Sequence, residues 1–394
     1  MTSQNAATTL DQRRTRHLVA RLLAAALASA TVQAQGAISV LPYGVTRDGQ
    51  PVEQVTLSNQ RGMRVTFIDY GATITAVMVP DRRGRFANVM LGLPTLAAYE
   101  ATRRRHGAII GRYAGRIAGA AYNLDGRRVQ LPANEKGLAI HGDPHGYDKR
   151  VWRRRDFADA ASIGSVFSLT SPDGDQGHPG RVEWSVTYRL LRKHNEFRIE
   201  YAAVTDAPSV VNPTNHAYFN LAGAGSGGLG SHRFTIRADR HVVTDALRVP
   251  TGERASVAGS ALDFRRPAGI GARIAAASPV LGEPAWYDHG LVFSKRGSAL
   301  AAVAVVSEIA SGRRMEVATT EPSVIFNSGN GFDGSETGSE NVAYQRHDGF
   351  AFETQHLADS PNHAHFPSTV LRPGQVFRSV TAFRFSAVSK LARP

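Results

Sequence analysis

A histidine in the middle of the chain lies among an unusual density of hydrogen-bonding side chains. Within residues 212–223, His216 is close to three further polar residues, Asn215, Tyr218 and Asn220. A sheet interior could not satisfy so many polar groups easily, because each one that is buried needs a partner. Histidine can also gain or lose a proton near neutral pH. The segment suits a site for a ligand rich in hydroxyls, although a polar turn with a structurally bonded histidine would have the same composition.

Glu353 is a second residue that could take part in chemistry. It follows an apolar run at residues 350–352 that has the character of a buried strand. A carboxylate in such a place is unfavourable unless it is paired, hydrogen-bonded or used. Two interpretations stay open, an ion pair with one of the many arginines and a general base.

Further polar positions occur in short clusters bounded by glycine or aromatic residues. The candidates for ligand contact are Arg116, Asn134, His141 and Asp288. Each of them alone could be structural. His363 and His365 form a closely spaced histidine pair, but no third ligand at a convincing spacing accompanies them, so the sequence predicts no metal site.

The elements that must position these residues are strands almost throughout. Residues 182–190 alternate strictly between apolar and polar, and residues 197–201 do the same after a polar break, which predicts an antiparallel hairpin. Residues 234–243 are predicted to form one further strand. Helical periodicity is confined to short stretches near residues 95–100 and 269–277. Many short strands separated by glycine and proline predict one large all-β antiparallel domain, a sandwich or a barrel.

Composition and charge exclude several classes of function. The 394 residues contain no cysteine, which removes disulfides, thiolate metal sites and a cysteine nucleophile. The formal net charge is +13, with arginines in short runs such as residues 103–105 and 153–155. No nucleic-acid module or aromatic stripe accompanies these runs. We interpret them as solvated faces and expect no nucleic-acid partner.

The N-terminal region matches the pattern of a signal peptide. Several arginines precede an apolar run at residues 22–28, and Val32 and Ala34 provide a small-x-small cleavage pattern before Gln35. The run is too short to remain as a membrane-spanning helix. The sequence thus predicts a signal peptide at residues 1–34, a mature domain at residues 35–394, and export to the periplasm. An amphipathic or disordered extension is the alternative.

In combination, the clusters resemble those of aldose 1-epimerases, also called galactose mutarotases, over residues 38–391. The motifs that carry the resemblance lie at residues 111–117, 134–142, 146–152, 214–223, 287–289, 315–322 and 353–367. The resemblance implies a large antiparallel β-sandwich that binds a free sugar, such as glucose or galactose, and interconverts its α and β anomers without a cofactor or metal. It also implies that His216 is the general acid and Glu353 the general base. Sugar hydroxyls would then be bound by Arg116, His141, Asp288 and Asn134.

Three residues depart from the pattern of that family. Gly115 replaces a usual asparagine, Asp143 a usual glycine, and Phe326 a common tyrosine. These changes affect the expected sugar preference more than the expected activity.

Other functions stay open at the level of sequence. They are an epimerase for a modified or phosphorylated sugar, a non-catalytic sugar-binding or sensor protein, and a polysaccharide lyase or hydrolase. The last lacks a clear second carboxylate of a glycosidase pair. The sequence is compatible with a monomer or a homodimer.

Overall fold

The computed structural model describes residues 36–142, 145–275, 279–281 and 286–388. The strands, in chain order, are β1 (Ala37–Val45), β2 (Pro51–Ser58), β3 (Arg64–Ile68), β4 (Thr73–Pro80), β5 (Phe86–Asn88), β6 (Ile109–Ile110), β7 (Arg116–Ile117), β8 (Ala121–Leu124), β9 (Arg127–Gln130), β10 (Ala139–Ile140), β11 (Arg153–Ala158), β12 (Ser162–Ser171), β13 (Val182–Leu191), β14 (Glu196–Thr205), β15 (Ser209–Val210), β16 (Thr214–Asn215), β17 (Tyr218–Phe219), β18 (His232–Ile236), β19 (Ala238–Thr244), β20 (Pro250–Ser256), β21 (Asp288–Phe293), β22 (Ala301–Glu308), β23 (Arg313–Thr319), β24 (Ser323–Asn327), β25 (Phe350–Gln355), β26 (Val370–Leu371) and β27 (Phe377–Ala387). The α-helices are α1 (Leu96–Ala101) and α2 (Gly271–Ala275). Single 3₁₀ turns occur at Ala118–Ala120, Tyr147–Lys149, Asp175–Gly177, Leu229–Ser231, Pro279–Leu281 and Ser360–Asn362.

Three antiparallel sheets form the body of the molecule. Five strands pair in the order β1-β2-β3-β4-β5, eight in the order β11-β12-β13-β14-β27-β23-β22-β18, and six in the order β17-β25-β24-β21-β19-β20. One large apolar cluster takes buried side chains from all three sheets, including Phe67, Tyr188 and Phe352. Burial of each such side chain stabilises the fold by about 1.5–3 kcal/mol. The prediction of an all-β antiparallel sandwich in one domain is confirmed.

The hairpin predicted from strict alternation is present. Strands β13 and β14 pair from Val182 opposite Thr205 to Leu190 opposite Phe197. Alternate residues of β13 are buried along its whole length. A period of two therefore identified both the strand and the face that it buries.

The single strand predicted at residues 234–243 is wrong, because the chain changes sheet within it. Strand β18 belongs to the eight-stranded sheet and β19 to the six-stranded sheet. Between them, the Arg237 N–H donates to the carbonyl of Val303, while the Arg237 carbonyl accepts from the N–H of Ser294. Arg237 thus bonds to strands of two sheets, and its polar side chain is exposed. Alternation of side chains continues across such a crossing, so the pattern could not reveal it.

Both short helices lie where the sequence predicts them. Helix α1 begins after Thr95, whose hydroxyl accepts from the N–H of Ala98 and caps the first turn. Helix α2 occupies only part of residues 269–277, and residues 276–278 lie outside the described residues. No helix in the described ranges has the length and apolar character needed to cross a membrane. The predicted signal peptide also lies outside those ranges.

Arg112 is a fully buried guanidinium that joins the connection between β12 and β13 to strand β15. It donates to the carbonyls of Pro172 (3.0 Å), Pro179 (2.9 Å) and Gly180 (2.9 Å), and to the hydroxyl of Ser209 (3.0 Å). The motif at residues 111–117 contains two arginines, Arg112 and Arg116, and Arg112 is therefore the structural one.

We expect Arg112→Met to lower the free energy of unfolding by about 3 kcal/mol, because buried carbonyls lose their donors. Urea unfolding followed by circular dichroism measures the change. The exposed Arg128 provides the control, since Arg128→Met removes a charge without uncovering buried acceptors. Equal stability of the two variants would contradict the structural role of Arg112.

Candidate active site

A pocket of about 920 Å³ lies on the face of the six-stranded sheet opposite the core. Alternation along β24 shows the geometry: Val324 and Phe326 join the apolar core, whereas Ile325 and Asn327 line the pocket. Phe326 therefore packs between the sheets, in contact with the rings of Tyr287, Phe234 and Phe352. A tyrosine at position 326, which is common in the family that the sequence resembles, would therefore also lie between the sheets, and its hydroxyl would not be in the pocket.

The pocket brings together five of the six predicted site residues. Its lining includes Arg116, His141, His216, Asp288 and Glu353. These residues come from five separate segments of the chain.

Asn134 does not line this pocket. It borders an adjacent cavity of about 390 Å³. Its side-chain amide donates to the carbonyl of Ile140 (2.8 Å), and its oxygen accepts from the Ile140 N–H (2.9 Å). Its amide thus holds the strand that leads into His141, and a contact between Asn134 and the ligand stays a prediction.

His216 and Glu353 form the centre of the pocket. Glu353 lies in β25, one residue beyond Phe352, so that strand alternation turns it away from the core. His216 directly follows β16, which pairs with β6. The two side chains are almost fully buried, and His216 Nε2 lies 3.4 Å from Glu353 Oε1.

Burial shifts both pKa values of this pair strongly. Desolvation raises the pKa of Glu353 to about 8, and the negative charge of Asp288 adds to the effect. Desolvation lowers the pKa of His216 to about 3, and the positive charge of Arg105 adds to that effect. Between these limits the pair holds one proton, and burial favours the state in which Glu353 carries it and both groups are neutral. Such a pair titrates as a unit, because the two groups are in contact.

His141 is held as a neutral hydrogen-bond donor. Its Nδ1 accepts from the backbone N–H of Gly115 (3.2 Å), so the proton of the neutral ring is on Nε2. Burial, with the charge of Arg105, keeps the pKa of His141 well below its usual value. The ring packs edge-on against His216 with centroids 5.7 Å apart.

Gly115 departs from the family pattern for a reason that the structure makes clear. Its φ is +84°, and a Cβ at this position would lie 2.9 Å from the Cβ of Ala358. A larger side chain would therefore need both a left-handed backbone and a different neighbour. Asp143, the other departure near His141, lies outside the described residues.

Arg116 and Asp288 form the polar wall of the pocket. Arg116 NH2 lies 3.6 Å from Asp288 Oδ2, and the amide of Asn327 donates to Asp288 Oδ1 (3.2 Å). Short strand β7 presents Arg116 through pairing with Ile140 of β10. A guanidinium beside a carboxylate offers donors and an acceptor to neighbouring hydroxyls.

Sequence reasoning missed two residues of this wall. Asn327 lies on the face of β24 that lines the pocket. The available signal was that it directly follows Phe326, because neighbouring residues of a strand point to opposite faces of the sheet. Arg105 was interpreted as part of a solvated run. The structure instead places all three arginines of the run in the pocket lining, where Arg103 is exposed and Arg104 pairs with Asp333 and Glu336. No signal in the arginine run distinguishes these three environments.

His141, His216 and Glu353 also form a group that could hold a metal by type and distance, with ligand atoms within 4.8 Å of one another. The tautomer of His141 disfavours this use, because its Nδ1 already accepts from Gly115. The positive charges of Arg105 and Arg116 also act on this site and oppose a dication. His363 and His365 are used structurally, since their Nε2 atoms bond to the carbonyls of Pro250 (3.1 Å) and Gly252 (2.7 Å).

A buried acid–base pair in a polar pocket, on a large antiparallel sandwich, defines an enzyme class that moves protons on a hydroxyl-rich ligand. A sequence model of the aldose 1-epimerase family matches residues 53–384. The galactose mutarotase of Bos taurus is 40% identical over 336 residues, covering 85% of this chain and 94% of that protein. The aldose 1-epimerase of Escherichia coli (strain K12) is 37% identical over 343 residues, covering 86% and 97%. The solved structure of galactose 1-epimerase from Lactobacillus acidophilus NCFM matches with a TM-score of 0.79 at 26% identity, covering 89% of this chain and 99% of that one. The chain belongs to the aldose 1-epimerase family.

Proposed function

We propose that this protein interconverts the α and β anomers of free aldohexoses such as glucose and galactose. The observation that carries the proposal is the contact of 3.4 Å between His216 Nε2 and Glu353 Oε1 at the centre of the pocket. One proton shared by a buried acid and a buried base is what anomer exchange requires. The names of the relatives support the same activity.

The reaction needs one proton removed and one delivered. Glu353 takes the proton from the C1 hydroxyl while His216 delivers one to the ring oxygen, and the bond between C1 and the ring oxygen breaks to give the open-chain aldehyde. Rotation about C1–C2 exposes the other face of the carbonyl. The two residues then exchange roles and close the ring as the other anomer.

Sugar binding prepares the pair for this step. In the unliganded pair, burial favours the neutral forms of both groups, with the shared proton on Glu353. The C1 hydroxyl is a donor and stabilises a carboxylate, whereas the ring oxygen is an acceptor and stabilises the imidazolium. Both contacts favour transfer of the proton from Glu353 to His216. Meanwhile Arg116, His141 and Asp288 hold the remaining hydroxyls.

Polarimetry tests the proposal directly. Freshly dissolved α-D-glucose and α-D-galactose should approach anomeric equilibrium faster with the protein than without it. Sugar binding without acceleration would instead support a sensor on the same fold.

The pH dependence should follow the single proton of the pair. We expect kcat/KM to be flat through neutral pH and to fall by about tenfold per pH unit above about pH 8, where the pair loses its proton and no acid remains. The acidic limit lies near the pKa of about 3 for His216, where a second proton removes the base. Polarimetric rates at subsaturating sugar measure the profile. Activity that rises through pH 9 would contradict a singly protonated active form.

Asp288 should act mainly on binding. We expect Asp288→Asn to raise KM by about tenfold or more and to change kcat far less, since a charged acceptor for sugar hydroxyls is lost. Initial rates over a range of glucose concentrations separate the two constants. Asp239→Asn, on the exposed side of β19, is the control. A large loss of kcat with constant KM would give Asp288 a role in the chemical step.

A second candidate substrate is an aldose that carries an anionic group. The pocket lining contains Arg103, Arg105, Lys136 and Arg248 in addition to Arg116. Such a rim raises the local concentration of anions. A value of kcat/KM for glucose 6-phosphate that exceeds the value for glucose would favour this candidate.

We also propose that the chain is exported, on the basis of the signal-like residues 1–34. Export with cleavage predicts a mature protein that begins at Gln35 in the extracytoplasmic fraction. N-terminal sequencing of the fractionated protein measures this. An uncleaved chain in the cytoplasmic fraction would contradict it.

A further inference from the structure

The backbone of His216 is held by a loop of five residues, Arg104 to Ala108, with Thr102 at its base. The Gly107 N–H donates to the His216 carbonyl (3.0 Å), and the His216 N–H donates to the Ala108 carbonyl (3.0 Å). The side chain of Asn215 adds a third bond, to the Gly107 carbonyl (2.6 Å). The position of His216 over Glu353 therefore depends on where this loop lies.

One carboxylate fixes the loop. Glu336 Oε1 accepts from the hydroxyl of Thr102 (2.6 Å) and lies 3.2 Å from Arg104 NH1. Its other oxygen lies 2.9 Å from His106 Nε2. Burial alone would raise the pKa of Glu336, but the hydrogen bonds from His106 and Thr102 outweigh it and lower the pKa to about 2. Three alternate residues of one segment thus converge on a single charged group.

His106 is the centre of this arrangement. Its ring is fully buried, and its Nδ1 lies 2.9 Å from the carbonyl of Leu91. The two ring nitrogens thus face one carbonyl oxygen and one carboxylate oxygen. The ring also contacts Tyr218, whose own ring lies 4.9 Å from that of His216 and lines the pocket. His106 is therefore connected to His216 in two ways, through the backbone of the loop and through the ring of Tyr218.

We propose that His106 and Glu336 form a positioning pair that holds His216 in register with Glu353. The inference rests on the proposed anomer exchange and adds two residues that touch neither the sugar nor the reacting atoms. Removal of the pair lets the loop move, and a shift of about 1 Å in a reacting group costs on the order of 10²-fold in rate. A role limited to packing would affect stability and leave the rate of the chemical step unchanged.

Variants at the two positions separate these roles. His106→Phe keeps an aromatic ring but cannot donate, and Glu336→Ala removes the acceptor. We expect each to lower kcat by about 10- to 100-fold with KM within about threefold of wild type. Glu336→Gln should restore kcat to within about threefold, because its amide oxygen can accept from Thr102 while its NH₂ stays within hydrogen-bond reach of His106 Nε2.

Matched controls come from buried residues outside the pocket. His232 is fully buried, and its Nε2 accepts from the Leu221 N–H (2.9 Å). Glu308 is fully buried and accepts from the backbone N–H of Ala310. His232→Phe and Glu308→Ala should lower the melting temperature without lowering kcat. Equal kcat values in the wild type, His106→Phe and Glu336→Ala would overturn the inference.

Amide hydrogen exchange provides a readout that needs no sugar. The N–H groups of Gly107 and His216 should exchange at least about tenfold faster in His106→Phe and Glu336→Ala than in the wild type or the control variants. Unchanged protection would overturn the positioning role whatever the enzyme's activity. A wild type that fails to accelerate mutarotation would overturn the proposed function instead, so the two failures are distinguishable.

Discussion

Glu353→Gln is expected to lower kcat for anomer interconversion by about 10²- to 10⁴-fold. Glutamine has the same size and can still accept a hydrogen bond, but it cannot take the proton from the C1 hydroxyl. Because Glu353 is 2% exposed and lies within a paired strand, the substitution should leave the pocket intact. Polarimetric rates at saturating glucose measure kcat, and KM should change little.

The same substitution should stabilise the protein at high pH. The folded-state pKa of Glu353 is raised to about 8. The buried carboxylate therefore destabilises the folded protein increasingly as the pH rises above the pKa of Glu353 in the unfolded chain, and the destabilisation is complete above about pH 8. Glu353→Gln removes that penalty, and we expect a gain on the order of 2 kcal/mol at pH 9. Glu308→Gln is the control, because Glu308 is a buried glutamate outside the pocket whose pKa is lowered. Full activity in Glu353→Gln would exclude Glu353 as the base.

His216→Gln is expected to lower kcat by a similar factor, about 10²- to 10⁴-fold, since the ring oxygen loses its proton donor. His216 is buried, and its Nδ1 has no hydrogen-bond partner in the described residues, so the loss of the ring should cost little stability. Polarimetry measures the rate and thermal unfolding measures the stability. His232→Gln is a close control, because His232 is also a buried histidine whose Nδ1 lacks a partner in the same described ranges.

The double variant tests whether the two residues act as one unit. Residues that share one proton should not have additive effects on kcat. The double variant, His216→Gln with Glu353→Gln, should therefore have a kcat within about tenfold of that of the slower single variant. Losses that multiply fully would show that each residue acts independently.

Much of the fold followed from the period of the side chains. Alternation predicted β13 and β14, because one face of each strand is buried and the other is not. The same signal failed at Arg237, where the chain leaves one sheet for another without a change of period. Pairing between sheets depends on contacts distant in the chain, and local pattern carries no information about them.

Part of the candidate site could be predicted from the sequence for a different reason. Glu353 was conspicuous because a carboxylate beside two buried phenylalanines is unfavourable without a function. Arg105 was misassigned because an arginine in a charged run can lie on a solvated face or in a pocket wall, and only tertiary packing decides between them. Nothing local to His106 or Glu336 indicated that they meet, since 230 residues separate them.

The distribution of the proposed catalytic pair along the chain has a consequence for biosynthesis. His216 is translated long before Glu353, and β25 can join the six-stranded sheet only after residues 350–355 have left the ribosome. A truncated nascent chain therefore contains half of the proton-transfer machinery and no turnover. Turnover thus reports that β25 has joined the six-stranded sheet, so optical rotation can follow this step in the maturation of the protein.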